Sequence, residues 1–377
     1  MITGADIAEL RTQRAKDTPI ISVYLNVPVD IAEHRGLLTR TRELIKGAAD
    51  NWQREQPAVS ETEISSIIDA VDGRSLDWLG HTVAIFACAE LGLFEAMPMP
   101  GSAADLAVLA ARPYLRPLLA VMQRNPAHQV AVIDAKHAWV LAIFDDEIAT
   151  LAQRTGVALP SPAFAGWYGL EAHRIQHKMM KLARQHYRDT IGLLSSARDS
   201  SSRPLVLGGH EMQISQFITL LPPAVRQRVA GSFNVDLQTA TPARVRELAA
   251  PVIARWTESA EAQLVYEVLS EPPDTTVTTS LADCVKAVRS RAVSQLVLAD
   301  GQMVPGCACD DCGAVGIGDA GCDCPDQACQ PVTDVLDELS SQALDGGGEV
   351  AAVRDAPFTA AARLRFQLAT IGVSGER

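Results

Sequence analysis

Ile20-Ile21-Ser22-Val23-Tyr24-Leu25 is the stretch from which the fold class follows. The run is short and almost wholly apolar, which predicts a buried strand. A helix predicted over 5–16 precedes it and a long helical stretch over 31–54 follows it, and two further runs, at 81–88 and 91–96, predict a hairpin in the same sheet. Because helices and strands alternate along the chain, we expect an α/β layer arrangement.

Two more regions follow the first, and both continue the α/β pattern. The pair Asn125-Pro126 marks the first boundary, and the segment Glu271-Pro-Pro-Asp274 is a linker. We therefore expect three domains, over residues 1–124, 125–271 and 272–377, with a cysteine-rich insertion at 305–330. The predicted middle-domain elements are strands at 129–134, 138–144, 147–152 and 204–209 and helices at 170–196, 212–220, 223–230 and 242–270. In the last region we predict helices at 280–291 and 333–344 and strands at 294–299 and 349–353.

Composition limits the function classes. With 377 residues, of which 47% are hydrophobic, the chain can bury a sizeable core. Its formal charge of −12 argues against a protein that coats nucleic acid indiscriminately. No apolar run is long enough to span a bilayer, and the first residues lack a basic region followed by an apolar run. We expect a soluble cytoplasmic protein without a membrane partner.

Six of the eight cysteines lie between residues 307 and 329, which predicts a structural zinc site. Cys309-Asp-Asp-Cys312-Gly has the usual spacing of a zinc knuckle, in which two intervening residues let both sulfurs face one ion. For the other two ligands we favour Cys324 and Cys329 over Cys322, and Cys307 is a substitute. The alternative is a disulfide knot or a loop of free thiols. Disulfides are disfavoured, because the first residues lack the basic region and apolar run that would direct the chain to an oxidising compartment. Four thiolates leave no open coordination position, so the zinc would be architectural.

The predicted helix over 170–196 is the most basic segment. The basic side chains Arg174, Lys178, Lys181, Arg184 and Arg188 recur near helical spacing, with His173, His177 and His186 among them. Such a face either is solvated or contacts phosphate, and its contrast with the acidic remainder favours phosphate. Just before the helix, Trp167 and Tyr168 either stack on a nucleotide or pack within their own loop.

The order of these features resembles the archaeo-eukaryotic class 1 peptide chain release factors and their bacterial relatives, among them the hibernation factor Balon. Four stretches carry the resemblance: Ile21-Ser-Val-Tyr-Leu-Asn-Val-Pro28, the strand pair around Val130 and Val140 before a basic helix with His186-Tyr187-Arg188, Ser294-Gln-Leu-Val-Leu298 before the cysteines, and Arg363-Leu-Arg-Phe-Gln367. The resemblance implies a three-domain architecture and binding to the ribosome, through ribosomal RNA and peptidyl-tRNA. It also implies that the third domain contacts a translational GTPase.

Two departures from the family pattern decide between functions. Family members that hydrolyse peptidyl-tRNA carry Gly-Gly-Gln before the basic helix, where this chain has Gly169-Leu170-Glu171. An ionised Glu171 only accepts hydrogen bonds and would repel the oxyanion of ester hydrolysis, although it could act as a general base in suitable surroundings; its alternative role is helix capping. No Asn-Ile-Lys-Ser counterpart occurs in the first domain, so we do not expect codon-specific termination.

The resemblance therefore implies a factor that occupies the ribosomal A site for hibernation or protection. The alternative is a peptidyl-tRNA hydrolase or release factor in ribosome rescue, with Glu171 as its catalytic residue, or with Gln176 in place of the missing glutamine if the register differs.

Overall fold

The computed structural model describes residues 4–50, 52, 60–155, 170–196, 203–271, 276–309, 312–318, 324 and 329–366, with side chains except at 4–5, 170–176 and 195–196. The chain divides into two compact units. The first unit comprises Met1–Gln123 and Ala260–Arg377, and the second comprises Arg124–Ser259. The division into three domains stays a prediction. Within the described ranges, no helix has the length and apolar character needed to cross a membrane.

The N-terminal half of the first unit is an antiparallel sheet with helices on both faces. Its strands are β1 (Ile20–Asn26), β2 (Thr82–Cys88), β3 (Leu93–Pro98) and β4 (Leu106–Ala110), in the order β3-β2-β1-β4. Its helices are α1 (Gly4–Thr12), α2 (Leu37–Asp50), α3 (Glu61–Arg74) and α4 (Arg116–Arg124). Val23 packs with residues of α2 and α3 on one face, whereas Tyr24 packs with residues of α1 and α4 on the other. Burial on both faces explains why β1 is apolar throughout, as predicted.

The second unit is a mixed five-stranded sheet. Its strands are β5 (His128–Ile133), β6 (His137–Phe144), β7 (Glu147–Thr155), β8 (Leu205–Gly209) and β9 (Val229–Phe233), in the order β7-β6-β5-β8-β9. The β5–β6 and β6–β7 pairs are antiparallel, and β5–β8 and β8–β9 are parallel. Its helices are α5 (Leu170–Ser196), α6 (Glu211–Leu220), α7 (Pro223–Arg226) and the first part of α8 (Pro242–Ser270). One face packs on α5 and α6, and the other on α8.

Three predicted helices need correction, the first of which, predicted over 5–16, spans Gly4–Thr12. The helix predicted over 223–230 ends at Arg226, because the chain turns into β9 at Val229. The helical stretch predicted over 31–54 begins with a 3-10 turn at Ile31–Gly36, and α2 ends at Asp50. The strand β4 was not predicted at all. The helices over 170–196 and 242–270 are confirmed.

The C-terminal half of the first unit carries a second sheet and the cysteines. Its main sheet has the order β10-β16-β11-β15, formed by β10 (Val277–Thr278), β11 (Val293–Ala299), β15 (Glu349–Val353) and β16 (Ala360–Leu364). The helices are α9 (Leu281–Arg289) and α10 (Val335–Asp345). A smaller sheet of order β13-β12-β14 comprises β12 (Gly306–Cys309), β13 (Val315–Ile317) and β14 (Cys329–Val332). Leu296, Val315 and Val335 share one core, which confirms that the strand at 296 and the helix at 335 pack together.

A buried ionic network joins the two halves of the first unit. Asp334 accepts hydrogen bonds from the Arg116 guanidinium and, at 2.9 Å, from the Tyr114 hydroxyl. Asp337 Oδ1 accepts from the backbone N–H groups of Leu115 and Arg116, at 3.1 Å each, and burial raises the pKa of this carboxyl to about 8. The first turn of α10 thereby holds the start of α4.

Candidate functional site

Helix α5 has two parts with different surroundings. From residue 177 to residue 185 no described side chain is buried, whereas His186, Tyr187, Thr190, Ile191 and Leu194 are buried. Tyr187 packs edge-to-face on Phe217 of α6, with ring centroids 5.6 Å apart. The second part of the helix is therefore fixed in the core, and the first described part faces solvent along its length.

The exposed side of α5 is a stripe of basic side chains. His177, Lys181, Arg184 and Arg188 are all exposed, and at 3.6 residues per turn they fall within an arc of about 60°. Lys178 is also exposed and lies beside them. We call these five residues the α5 stripe. Their spacing by three and four residues stacks them on one side of the helix, so their positive fields add.

The nearest acid on the helix is already engaged. Asp189 accepts from Arg154 of β7 at 2.5 Å and from Gln185 at 2.8 Å. Among the residues that the structure describes, Lys178, Lys181, Arg184 and Arg188 take part in no salt bridge. Lys178, Lys181, Arg184 and Arg188 therefore keep their positive charge for a partner.

His186 does not belong to this surface, although the sequence places it within the basic segment. Its side chain is 4% exposed, and burial lowers its pKa. The imidazole is therefore held neutral, inside the core, where it cannot contact phosphate.

The residues before the stripe are only partly described. Trp167, Tyr168 and Gly169 lie outside the described residues. Glu171, His173 and Arg174 lie within α5, but their side chains also fall outside. Their assignments, including a catalytic role for Glu171, stay predictions.

Three of the predicted metal ligands come together in the C-terminal half of the first unit. The sulfur atoms of Cys309, Cys312 and Cys324 all lie within 4.8 Å of one another. Cys309 Sγ and Cys324 Sγ are 3.8 Å apart. Two thiolates bound to one tetrahedral zinc, each about 2.3 Å from the metal, are separated by about the same 3.8 Å. The cluster therefore has the dimensions of a zinc site.

The local backbone supports this site. The Cys312 backbone N–H donates to Cys309 Sγ at 3.4 Å, and the Gly313 N–H donates to the Cys309 carbonyl at 3.0 Å. Gly313 has φ of +69°, a conformation that side chains disfavour. This turn points an N–H group at a sulfur, which stabilises the thiolate that zinc requires.

The fourth predicted ligand, Cys329, lies on the neighbouring strand. It stands opposite Cys309 in the β12–β14 ladder, and its thiol lies 2.8 Å from the sulfur of Cys307. Cys322, the competing candidate, lies outside the described residues. The structure thus places Cys307 beside a predicted ligand, a proximity that spacing alone did not indicate.

Comparisons with known proteins agree with the resemblance. Residues 113–254 match the model of the bacterial archaeo-eukaryotic release factor family 10, a range that includes the α5 stripe. The comparison with curated proteins gave no match.

Several solved structures are similar to the chain at low identity. The crystal structure of the archaeal translation termination factor aRF1 is 13% identical, with 96% of each chain covered and a TM-score of 0.27. Dom34 of S. cerevisiae is 11% identical, with 78% of this chain and 81% of that one covered and a TM-score of 0.41. A model of ribosome-bound archaeal Pelota and ABCE1 is 12% identical, with 97% of this chain and 95% of that one covered and a TM-score of 0.40. The middle part of the chain, residues 113–254, is therefore similar to the bacterial archaeo-eukaryotic release factor family 10.

Proposed function

We propose that this protein is a translation factor that binds ribosomal RNA through the α5 stripe and occupies the ribosomal A site as a hibernation or protection factor. The observation that carries the proposal is the exposed stripe itself, which lies in the segment that matches the release factor family. A translational GTPase partner stays a prediction from the resemblance.

The charge of the stripe suits an RNA backbone. Lysine and arginine side chains that neutralise phosphates release bound counterions, and each such contact contributes about 0.7 to 0.9 to the slope of log affinity against log salt. Exposed arginines also form paired hydrogen bonds with phosphate oxygens, as Arg184 and Arg188 are free to do sterically. Binding through the stripe should therefore weaken steeply as salt rises.

The anchoring of α5 supports the same proposal. Tyr187, Ile191 and Leu194 bury one side of the second part of the helix in the sheet core. A cationic surface on a rigid helix loses less side-chain and backbone entropy on binding than one on a loop. The stripe is therefore arranged in advance for a rigid partner such as folded RNA.

The test is co-sedimentation with empty 70S ribosomes and with ribosomes that hold peptidyl-tRNA, with peptide release followed in the same tubes. We expect binding without release. The double variant Lys181→Glu/Arg184→Glu should bind at least about tenfold more weakly, with a salt slope reduced by about 1.4 to 1.8 for two lost contacts.

A matched control separates local from overall charge. Arg244 and Arg255 are exposed on α8, and the double variant Arg244→Glu/Arg255→Glu changes the net charge by the same amount, from −12 to −16. We expect it to bind like the unmodified protein. Equal weakening in both variants would contradict recognition by the stripe. Release of peptide that is lost in Glu171→Ala would instead support the hydrolase.

We also propose that Cys309, Cys312, Cys324 and Cys329 hold a structural zinc ion. The 3.8 Å separation of the Cys309 and Cys324 sulfurs and the N–H group directed at Cys309 support Cys309, Cys312 and Cys324, whose sulfurs lie within 4.8 Å of one another. Cys329 lies outside that group of three and is proposed from its spacing alone. Zinc would supply no catalytic step here, because four thiolates complete its coordination. Elemental analysis of purified protein should find about one zinc per chain, and less in Cys312→Ser.

A further inference from the structure

Cys307 and Cys329 form a close pair at the edge of the zinc site. They lie on the neighbouring strands β12 and β14, and their sulfur atoms are 2.8 Å apart. This separation is shorter than the roughly 3.8 Å between two thiolates on one tetrahedral zinc. In this arrangement the two sulfurs therefore cannot both be ligands of a single zinc ion.

Cys329 also faces the remaining ligands. It stands opposite Cys309 in the antiparallel ladder, where directly opposed residues have Cβ atoms about 4.5 to 5.5 Å apart. Cys307 and Cys309 are two residues apart on one strand, so their side chains emerge on the same face as that of Cys329. Cys329 thus lies beside the Cys307 sulfur and on the strand face that carries Cys309, one of the proposed zinc ligands.

We propose that Cys307 and Cys329 form a reversible disulfide that withdraws Cys329 from the zinc site and releases the metal. The inference rests on the zinc site proposed above. It makes the cysteine insertion a redox-sensitive element, with a peroxide as the oxidant class.

The chemistry balances with hydrogen peroxide. The Cys307 thiolate attacks one peroxide oxygen, the O–O bond breaks, and a sulfenic acid forms with loss of hydroxide, which takes up a proton to become water. The Cys329 sulfur then attacks the Cys307 sulfur, the S–O bond breaks, and the hydroxide that leaves takes up a proton to become a second water. Two thiols and one peroxide give one disulfide and two waters. Zinc leaves as Zn²⁺ without changing oxidation state.

The surrounding structure allows the change to reverse. The β12–β14 ladder runs from Gly306 opposite Val332 to Cys309 opposite Cys329, so backbone pairing keeps the two cysteines adjacent in either state. The Gln342 side chain of α10 also donates to the Gly313 carbonyl at 2.8 Å. These contacts do not require zinc, and a thiol reductant should restore the metal-binding form.

The experiment uses the full-length, reduced, zinc-loaded protein. Hydrogen peroxide is added, zinc release is followed with a chromogenic chelator, and disulfides are mapped by mass spectrometry of peptides. We expect about one zinc released per Cys307–Cys329 disulfide formed. Cys307→Ser and Cys307→Ala should both release zinc at least about tenfold more slowly, because they lack the thiol that is oxidised first and then takes Cys329 into the disulfide. Cys88→Ala, which removes a cysteine from β2, should behave like the unmodified protein.

Each other outcome contradicts a definite step. A Cys307–Cys329 disulfide with zinc retained would show that Cys329 is not a ligand. Unchanged zinc release in both Cys307 variants would show that this cysteine has no part in the process. Absence of zinc from the untreated protein would reject the zinc site itself. It would leave the proposed ribosome binding untouched, because co-sedimentation tests that proposal separately.

Discussion

Asp334 accepts four hydrogen bonds in the interior of the first unit, and its replacement by alanine should have a large effect on stability. Its Oδ2 accepts from Arg116 and Tyr114, and its Oδ1 accepts from the backbone N–H groups of Val304 and Leu336, at 3.1 Å each. The side chain of Asp334 is 1% exposed. Alanine would leave these donors without their acceptor, in a place that water does not reach.

The magnitude follows from what the substitution leaves behind. Arg116 would keep the carbonyl oxygens of Gln302 and Ala299, at 2.7 and 2.8 Å, but would lose its ion pair with the Asp334 carboxylate. Removing one partner of a buried ion pair costs about 3 to 5 kcal/mol, and loss of a helix N-cap costs about 1 kcal/mol. Because these effects are not additive, we expect the free energy of unfolding of the first unit to fall by about 4 kcal/mol.

The assay is urea denaturation, combined with hydrogen exchange of peptides that cover α4 and β11. Tyr114→Phe removes one hydrogen bond to a charged group and should lose about 1.5 to 3 kcal/mol. Lys286→Ala breaks an exposed pair with Asp283 and should lose less than about 0.5 kcal/mol. If Asp334→Ala lost no more than Lys286→Ala, the network would not stabilise the unit and the reasoning would be refuted.

Three further predictions concern single sites. Glu90 accepts from three successive backbone N–H groups, of which that of Thr18 contributes most, and these lower its pKa to about 2. The ionised Glu90 carboxylate contributes fully to the free energy of unfolding above its ordinary pKa of 4.5, and this contribution is lost as the pH falls through about 2. The loss of stability in Glu90→Gln, measured by urea denaturation, should therefore be smaller at pH 3 than at pH 7. Gly313→Val strains the cysteine turn and should weaken zinc affinity about tenfold in a chelator competition, whereas Gly301→Val, at φ of +72° in open space, should not. Tyr187→Ala should lower the free energy of unfolding by about 3 to 5 kcal/mol in urea, against less than about 0.5 kcal/mol for exposed Met180→Ala.

Local periodicity predicted most of the fold, and pairing between distant segments accounts for what it missed. The helices α5 and α8 are long, so their repeating pattern left little ambiguity. The strand β9 is short, only half buried, and follows a proline-started helical turn. Its state depends on parallel pairing with β8, whose contacts are not visible in the local sequence.

The two candidate sites differ in how far the sequence could define them. The spacing of Lys181, Arg184 and Arg188 determines that they share a side of the helix, so the stripe follows directly from the sequence. The neighbours of Cys329 depend instead on the register of β12 with β14, which is set by strand pairing. The sequence therefore could not show that Cys307 lies beside Cys329. The partners of Asp334 and Asp337 at 114–116 are more than two hundred residues away along the chain, so nothing in the sequence indicated them.

The net charge of −12 says little about what the α5 stripe binds, and the reason is physical. At physiological ionic strength the field of an exposed charge is screened over about 8 Å, so a phosphate at the α5 stripe responds mainly to the charges beside it. The acid that lies nearest along the helix, Asp189, is paired with Arg154. The remaining carboxylates of this acidic chain still reduce long-range attraction, and they therefore oppose indiscriminate binding to nucleic acid. A strong local stripe on an acidic protein thus favours a partner that is held at close range by shape as well as by charge, a requirement that the proposed partner, folded ribosomal RNA, would meet.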